Sequence, residues 1–347
     1  MKRLLCLCVA LCLLTVCFGF CGCGKEPEPK TRLYYEYFDT VCTVYSYRDE
    51  TDGEFEENAE LCRSLLREYH ELLDIYNEYE GKVNLATLNR TAAGGAVAVS
   101  DELFAFLTFT AGVAGATGET VSPTVGALTS LWHEQRVIAD EGGTASLPDE
   151  NALAEAKTHI SLSSLVLDAE AKTVYFSDPA LKLDAGAFGK GYVLKRTAQA
   201  LTEKGVTSYL LNYGGNVLAV GGKPSGEAFH VGIRSPFEGR SYPAVLSMKD
   251  TAVASSGSYE RKLTVGGKTY SHVIDPATGY PPERFASVSV VCADAAVGDA
   301  LSTALYCMTE EEGQKLLSGI KSAEVLWIGT DGRVSYTSGL PDLADLK

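Results

Sequence analysis

The stretch SYLLNYGGNVLAVGG (208–222) sets the tightest limit on the fold. Two apolar, β-prone runs flank a Gly-Gly pair. This reads as strand, glycine turn, strand, because short hairpin turns need left-handed backbone that glycine adopts freely. The chain must therefore build antiparallel sheet, and it must also build helix. Phe55, Ala59, Cys62, Leu66, Tyr69, Leu73 and Tyr76 recur at alternating four and three spacing, an apolar stripe with acids and arginines between its members. Ser100 reads as the N-cap of a mostly apolar helix over 101–117. A second, short helix is expected after Pro123, LPDENALAEAK (147–157) reads as a capped surface helix, and another helix begins near Ala187. Residues 33–47 read as a strand or a hairpin, and further strand-like runs fall near 229–233, 244–254, 261–274 and 286–292. Helices over roughly 294–309 and 310–319 and a final strand pair complete the chain. No Pro/Gly/Ser-rich linker splits residues 33–347. The expected fold class is α+β, a single large mixed α/β domain, and two similar halves around a cleft are compatible with it.

The N-terminus has a different character. Lys2 and Arg3 precede an almost wholly apolar run from Leu4 to Phe20, followed by Gly22, Cys23 and Gly24 and then the polar KEPEPK at 25–30. That is the order of an export signal, and the run is at the short edge for a membrane-spanning helix. Six of the ten cysteines (6, 8, 12, 17, 21 and 23) lie here. Cys23 after Gly22 resembles the lipid-modified cysteine of a bacterial lipoprotein. Residues 1–23 are therefore expected to be a signal, residues 24–32 a polar tether, and the protein exported and held to the membrane by a lipid anchor. Cys42, Cys62, Cys292 and Cys307 form no CxxC pair and read as small hydrophobes.

The formal net charge is −15; without Lys2 and Arg3 it becomes −17, 28 basic against 45 acidic residues. No broad basic face for nucleic acid is expected. A phosphate-bearing ligand would have to be held locally, by a metal, a helix N-terminus or a few cations.

No phosphate-binding P-loop, G-x-G-x-x-G, HExxH or G-x-S-x-G motif occurs. Four other clusters stand out. In LDAGAFGKGYVLKR (183–196), small residues surround Asp184 and Lys190 where a strand hands over to a helix. Such a place lets a ligand approach backbone N–H groups, though an ordinary turn with a capping Asp fits it as well. SSGSYER (255–261) is a small-residue turn with hydroxyls. HVIDPATG (272–279) places His272 and Asp275 three apart before a turn; a histidine there can take a proton from a hydroxyl, while a hairpin with a structural Asp is the plain alternative. In DAAVGDALSTALYCM (294–308), Val297, Leu301, Leu305 and Met308 form the core stripe and Asp299 and Thr303 lie four apart on another face. A carboxylate and a hydroxyl so placed suit Mg²⁺; the alternative is a solvated face. On this reading an Asp299→Ala exchange spares the fold.

These clusters together resemble the FAD:protein FMN transferases, the family of the lipoprotein ApbE. The resemblance rests on D-x-G-A-x-x-K-G at 184–191, NYGGN at 212–216, S-G-x-Y-E-R at 256–261, H-x-I-D-P-x-T-G at 272–279 and D-A-L-S-T at 299–303. FDT (38–40), DIYNEYEGKVNLATLN (74–89) and PTVGALTSLW (123–132) extend it upstream. It implies an enzyme that splits the pyrophosphate of FAD and passes FMN to a threonine hydroxyl of a partner flavoprotein, releasing AMP. It implies Asp299 and Thr303 as Mg²⁺ ligands, joined by the Ala187 carbonyl and Ser302. It implies His272 as base, with Asp275 shaping or assisting it. Phe38, Tyr76, Thr120, Val121, Ser122, Asp184, Lys190 and His272 would contact FAD. Gly189 departs from the family's Ala, and Ser122 from an Asp that many members carry. The competing readings are an FAD pyrophosphatase, with water replacing the hydroxyl, a non-catalytic surface flavin carrier, and a solute-binding lipoprotein.

Overall fold

The computed structural model describes residues 28–258, 261–320 and 322–347. The signal and Cys23 readings therefore lie outside the described residues. Among these, sixteen strands and eight α-helices follow one another. The first part of the chain holds β1 (Lys30–Tyr34), β2 (Cys42–Ser46), α1 (Asp52–Leu73), α2 (Leu85–Thr91), β3 (Val97–Ala98), α3 (Asp101–Ala116), α4 (Gly126–Asp140) and α5 (Glu150–Ala156). The middle holds β4 (Leu165–Asp168), β5 (Thr173–Phe176), α6 (Gly189–Glu203), β6 (Tyr209–Tyr213), β7 (Asn216–Val220), β8 (Phe229–Ile233), β9 (Ala244–Met248) and β10 (Ala252–Gly257). The last part holds β11 (Leu263–Val265), β12 (Lys268–Tyr270), β13 (Phe285–Cys292), α7 (Ala295–Cys307), α8 (Glu310–Leu317), β14 (Ala323–Gly329), β15 (Val334–Tyr336) and β16 (Ala344–Leu346). β1 begins at Lys30, inside the stretch read as tether.

One eight-stranded sheet, in the order β1-β2-β6-β7-β10-β13-β14-β15, takes four strands from residues 30–220 and four from residues 252–336. Its neighbours pair antiparallel throughout. Every residue of β6, β7 and β13 is buried or nearly so, because both faces are covered. On one face, Tyr209, Leu211, Tyr213, Leu218 and Val220 pack under α1, α6 and the small residues of α7. On the other, Leu210, Val217, Ala219, Val253 and Val291 meet Phe229, Val231, Leu246 and Met248 of the three-stranded sheet β16-β9-β8. Alternation along each strand thus feeds two cores. A further cluster joins α4 to the later loops through Leu128, Trp132, Leu153, Leu263 and Ile274.

α1 carries a capping box, with Thr51 and Glu54 each bonding the other's backbone N–H. Its buried stripe runs Phe55, Ala59, Cys62, Leu66, Tyr69 and Leu73. Tyr76 does not continue that stripe. The helix ends at Leu73, and the Asp74 carboxylate takes the backbone N–H of Tyr76 and of Asn77, turning the chain away. The helix after Pro123 is not short: α4 has 15 residues. The run read as one strand over 244–254 is two, β9 and β10, broken at Asp250, whose φ is +48°. The final strand pair is β14 and β15, with β16 added to the smaller sheet.

The β6–β7 turn consists of Gly214 and Gly215, with φ of +62° and +92°. A Cβ on Gly214 would lie 2.6 Å from Thr40 Oγ1, so the FDT segment packs directly onto this turn. The start of β2, the β6–β7 turn and the end of β10 thereby share one edge of the large sheet.

Candidate active site

The turn at 184–191 is fixed from several sides. Asn89 binds the Leu183 backbone in both directions, its Oδ1 accepting the N–H at 2.6 Å and its Nδ2 donating to the carbonyl at 3.0 Å. Asp184 N–H donates to Pro123 O at 2.8 Å. The Asp184 carboxylate is engaged on both oxygens, accepting from Gly186 N–H at 2.7 Å and from Thr129 Oγ1 of α4 at 2.6 Å. Gly189 N–H donates to Ala185 O and Tyr192 N–H to Phe188 O, while Gly191 N–H turns to Asp299, which leaves the Ala187 carbonyl outside the ladder. Lys190 lies half-buried beside Cys42, whose thiol burial pushes up to about 12 although the lysine's charge opposes it.

The next turn of α6 meets α7. Gly191 N–H, one of the helix's orphan donors, donates to Asp299 Oδ2 at 2.7 Å. Asp294 caps α7 through Ala296 and Val297 N–H, and its other oxygen accepts from Lys195 at 2.6 Å, tying the two helices together. Asp299 is only 4% exposed. The expectation that Asp299 and Thr303 sit on a face apart from the core is corrected here: α7 is enclosed on nearly all sides, against α6, β10 and β13. Ser256 Oγ of β10 lies 2.9 Å from Ser302 Oγ and 3.2 Å from Thr303 Oγ1. The Ser302 hydroxyl also bonds Asp299 O at 2.8 Å and is wholly buried, whereas Thr303 is half-buried. Asp299, Ser302, Thr303 and Ser256 thus form one oxygen-only cluster.

The 272–279 segment forms a closed loop. Asp275 is buried, its Oδ1 accepts from Ala277 N–H at 2.9 Å, and its carbonyl accepts from Gly279 N–H at 2.8 Å. Gly279 has φ +81°. Trp132 of α4 donates its indole N–H to Gly279 O at 2.9 Å, and Lys157 donates to Ala277 O. His272 is half-buried at the entrance to this loop.

Phe38, Asp39, Tyr76, His133, Arg136 and Arg261 gather beside the Asp184 turn. Phe38 and Asp39 are both left-handed, with φ of +55° and +48°, a rare state for residues other than glycine. Arg261 Nη2 donates to both of their carbonyls, at 3.1 and 2.9 Å. The Phe38 ring lies edge-on to His70 and close to Gly189 at the start of α6. Tyr76 stacks on His133, ring centroids 4.7 Å apart. The residue is 61% exposed, yet among these neighbours desolvation, then the Asp184 charge, push its hydroxyl up to about 12. Desolvation, and then Arg136, hold the His133 imidazole below its ordinary pKa, against the pull of Asp184.

Thr120, Val121 and Ser122 lead into the Asp184 turn through the Pro123–Asp184 bond, but two of their side chains are spent elsewhere. Val121 is packed in the core. The Ser122 hydroxyl is buried against Thr124 Oγ1 at 2.7 Å.

Sequence reasoning overlooked Asn89, Thr129, His133 and Arg136. For the last three a signal existed: spacings of four and three place them on one face of α4. Asn89 carried none, since its partners are backbone groups distant in sequence.

A model described as the ApbE family matches residues 38–327. The FAD:protein FMN transferase of Treponema pallidum (strain Nichols) is 32% identical over 318 residues, 87% of this chain and 85% of that protein. That of Vibrio cholerae serotype O1 is 26% identical over 302 residues, 86% of this chain and 89% of that one. Among solved structures, the ApbE protein of Thermotoga maritima superposes with a TM-score of 0.80 at 24% identity, covering 91% of this chain and 99% of that one. The flavin transferase ApbE of Vibrio cholerae gives 0.76 at 22% identity, covering 91% and 99%. These last two likenesses speak for the fold.

Proposed function

Since the chain belongs to the ApbE family, we propose that it transfers FMN from FAD to a threonine hydroxyl of an acceptor flavoprotein and releases AMP. In that step the pyrophosphate P–O bond to AMP breaks, a phosphoester bond forms to the threonine oxygen, and the threonine proton leaves to a base. The observation that carries the reading is the meeting of the α6 start with the oxygen cluster of α7 and β10, through the 2.7 Å Gly191–Asp299 bond. Phosphoryl-type transfer needs positioning and charge stabilisation more than covalent help.

The donor set fits a hard divalent cation such as Mg²⁺. One carboxylate, hydroxyls and a carbonyl outside the helix ladder are all oxygen donors, and Mg²⁺ takes its remaining ligands from water and substrate phosphates. No group of three or more His, Cys, Asp or Glu among the described residues could hold a metal. Asp299 and Thr303, with the Ala187 carbonyl, would hold the cation, and Ser302 would act through its bonds to Asp299 O and Ser256. When bound, the metal would neutralise charge on the pyrophosphate, adding to the point charge of Lys190. Asp184 organises the turn beneath the ligand, and Lys190 offers a point charge beside it. His272 is the base, and Asp275 keeps its loop closed.

The test is to incubate the protein with FAD and Mg²⁺, with and without an acceptor domain, and to measure AMP, FMN and protein-bound flavin. Acceptor-dependent flavin attachment with equal AMP is expected. AMP and free FMN regardless of acceptor would mean hydrolysis, and no AMP would remove the reading. An anchor at Cys23 would place this reaction at the membrane surface; the N-terminal mass of membrane-fraction protein checks it, and a chain starting at Met1 would overturn it.

A further inference from the structure

Helix α4 presents one face to Asp184 and Tyr76 with three different tools. Thr129 binds Asp184 at 2.6 Å, and His133, one turn on, backs the exposed ring of Tyr76. Arg136, almost a further turn on, holds a guanidinium whose Nη1 is shut off from water and has no partner among the described residues. Burial pushes its pKa down from the ordinary arginine value, and the charges of Tyr76 and Asp184 nearby pull it back up. A buried donor left unpaired is costly, more so on a charged group. Among the described residues this donor thus stays without a partner, beside the Tyr76–His133 pair.

Its position says what the donor is for. Seven residues of α-helix separate Thr129 from Arg136, about 10 Å along the axis. Thr129 marks the level of the 184–191 turn, next to the oxygen cluster where phosphates belong. The Arg136 backbone thus starts well beyond Thr129, while its guanidinium lies near both Tyr76 and Asp184, beside the aromatic pair. A planar heteroaromatic ring laid on Tyr76 carries carbonyl or ring-nitrogen acceptors at its edge, and a planar guanidinium suits such acceptors.

We propose that Arg136 is a binding residue that donates to the acceptor edge of one ring of the dinucleotide, seated on the Tyr76–His133 pair. The inference rests on FAD being the substrate. Two rings share this chemistry, the isoalloxazine and the adenine, and the experiment separates them.

The variants are Arg136→Met, which keeps the aliphatic stem, and Arg136→Gln, which keeps a neutral donor. Binding is followed by fluorescence quenching or calorimetry, without added metal, so that no turnover intervenes. FAD is the full ligand; riboflavin, adenosine and inorganic pyrophosphate are the probes for its parts. Arg136→Met should weaken FAD binding about ten- to hundredfold, the usual worth of a hydrogen bond to a charged group. The loss should recur with one ring probe, riboflavin or adenosine, and be absent with pyrophosphate. Arg136→Gln should recover part of it. The melting temperature of Arg136→Met should not fall, because a buried donor with no partner among the described residues has been removed. Unchanged FAD affinity, a loss confined to pyrophosphate, or loss with every probe together with a lower melting temperature would overturn the proposal. A wild-type protein that neither binds FAD nor releases AMP would instead remove the proposed function itself.

Discussion

Gly191 donates its N–H to Asp299 Oδ2 at 2.7 Å, and a Cβ on Gly191 would lie 2.4 Å from both Ala295 O and Asp299 Cβ. The glycine is thus the contact point of two helices, and its hydrogen bond orients the one carboxylate of the oxygen cluster. Gly191→Ala must push α6 and α7 apart. It should cost about 1–3 kcal/mol in urea unfolding, the usual penalty of overpacking. AMP release should fall far more than that loss of folded protein explains. Wild-type turnover in folded Gly191→Ala would show that the helix contact does not set the site.

Gly189, two residues earlier, gives the opposite forecast. A Cβ there meets Leu73 Cδ1 at 3.4 Å and Phe38 Cε1 at 3.6 Å, ordinary contacts. Gly189→Ala should stabilise by about 0.4–1 kcal/mol through the unfolded chain and leave FAD affinity unchanged. Thermal and urea unfolding would check it; a destabilised variant would mean that the approach of Phe38 is less tolerant than its distance.

Asp299 can be separated into its two tasks. Asp299→Asn keeps an oxygen for Gly191 N–H and removes the charge. It should keep the fold and lose Mg²⁺-dependent AMP release. Asp299→Ala also strands a buried N–H, which costs about 1–3 kcal/mol. The fold-sparing outcome expected from the sequence is therefore withdrawn for Ala and kept for Asn. Equal melting temperatures for the two variants would show that the Gly191 bond carries little.

That correction shows what the sequence could and could not convey. The Gly-Gly hairpin, the Ser100 cap, the capped surface helix within 147–157 and the α1 stripe were legible because each is a local pattern with a local cause. α7 was misread because its burial depends on Ala295, Ala296, Gly298, Ala300 and Ala304, small residues that mark no face strongly. Tyr76 kept the helical spacing beyond the point where the Asp74 side chain ends the helix. The motifs that carry the family resemblance were legible as a set, but the groups that hold their residues are not: Asn89 on Leu183, Thr129 on Asp184 and Ser256 on Thr303 pair residues 47 to 94 apart in sequence.

His159 supplies a pH dependence of stability. Its ring bonds Asp178 at 2.8 Å and Glu155 at 3.2 Å, and these two, Asp178 first, raise its pKa above the ordinary 6.5. A pKa raised by folding contributes stability that is fully present below about pH 6.5 and is lost as pH rises through the folded value. Asp178 also accepts from Ala180 N–H at 2.9 Å, on the way to the Asp184 turn. The melting temperature of wild type relative to His159→Gln should therefore be highest on the acid side and shrink toward pH 9. A difference independent of pH would mean that the ring acts by packing alone.

His272 is the sharpest test of the chemistry. If it removes the proton from the incoming threonine, His272→Ala should lower FMN transfer about 10²–10⁴-fold, the range for general-base help, while FAD still binds. Protonation disables a histidine base, so the wild-type rate should fall on the acid side of the profile, and the variant should lose that limb. The competing role is visible in the loop it precedes, where Asp275, Ala277 and Gly279 close a turn that Trp132 and Lys157 fasten to the rest of the protein. A histidine that only steadied this turn would, when replaced, lower melting temperature and FAD affinity together and leave the pH dependence in place. FAD affinity, melting temperature and the pH–rate profile of one variant separate the two roles. A His272→Ala enzyme that keeps the acid limb would refute the base, whatever its rate.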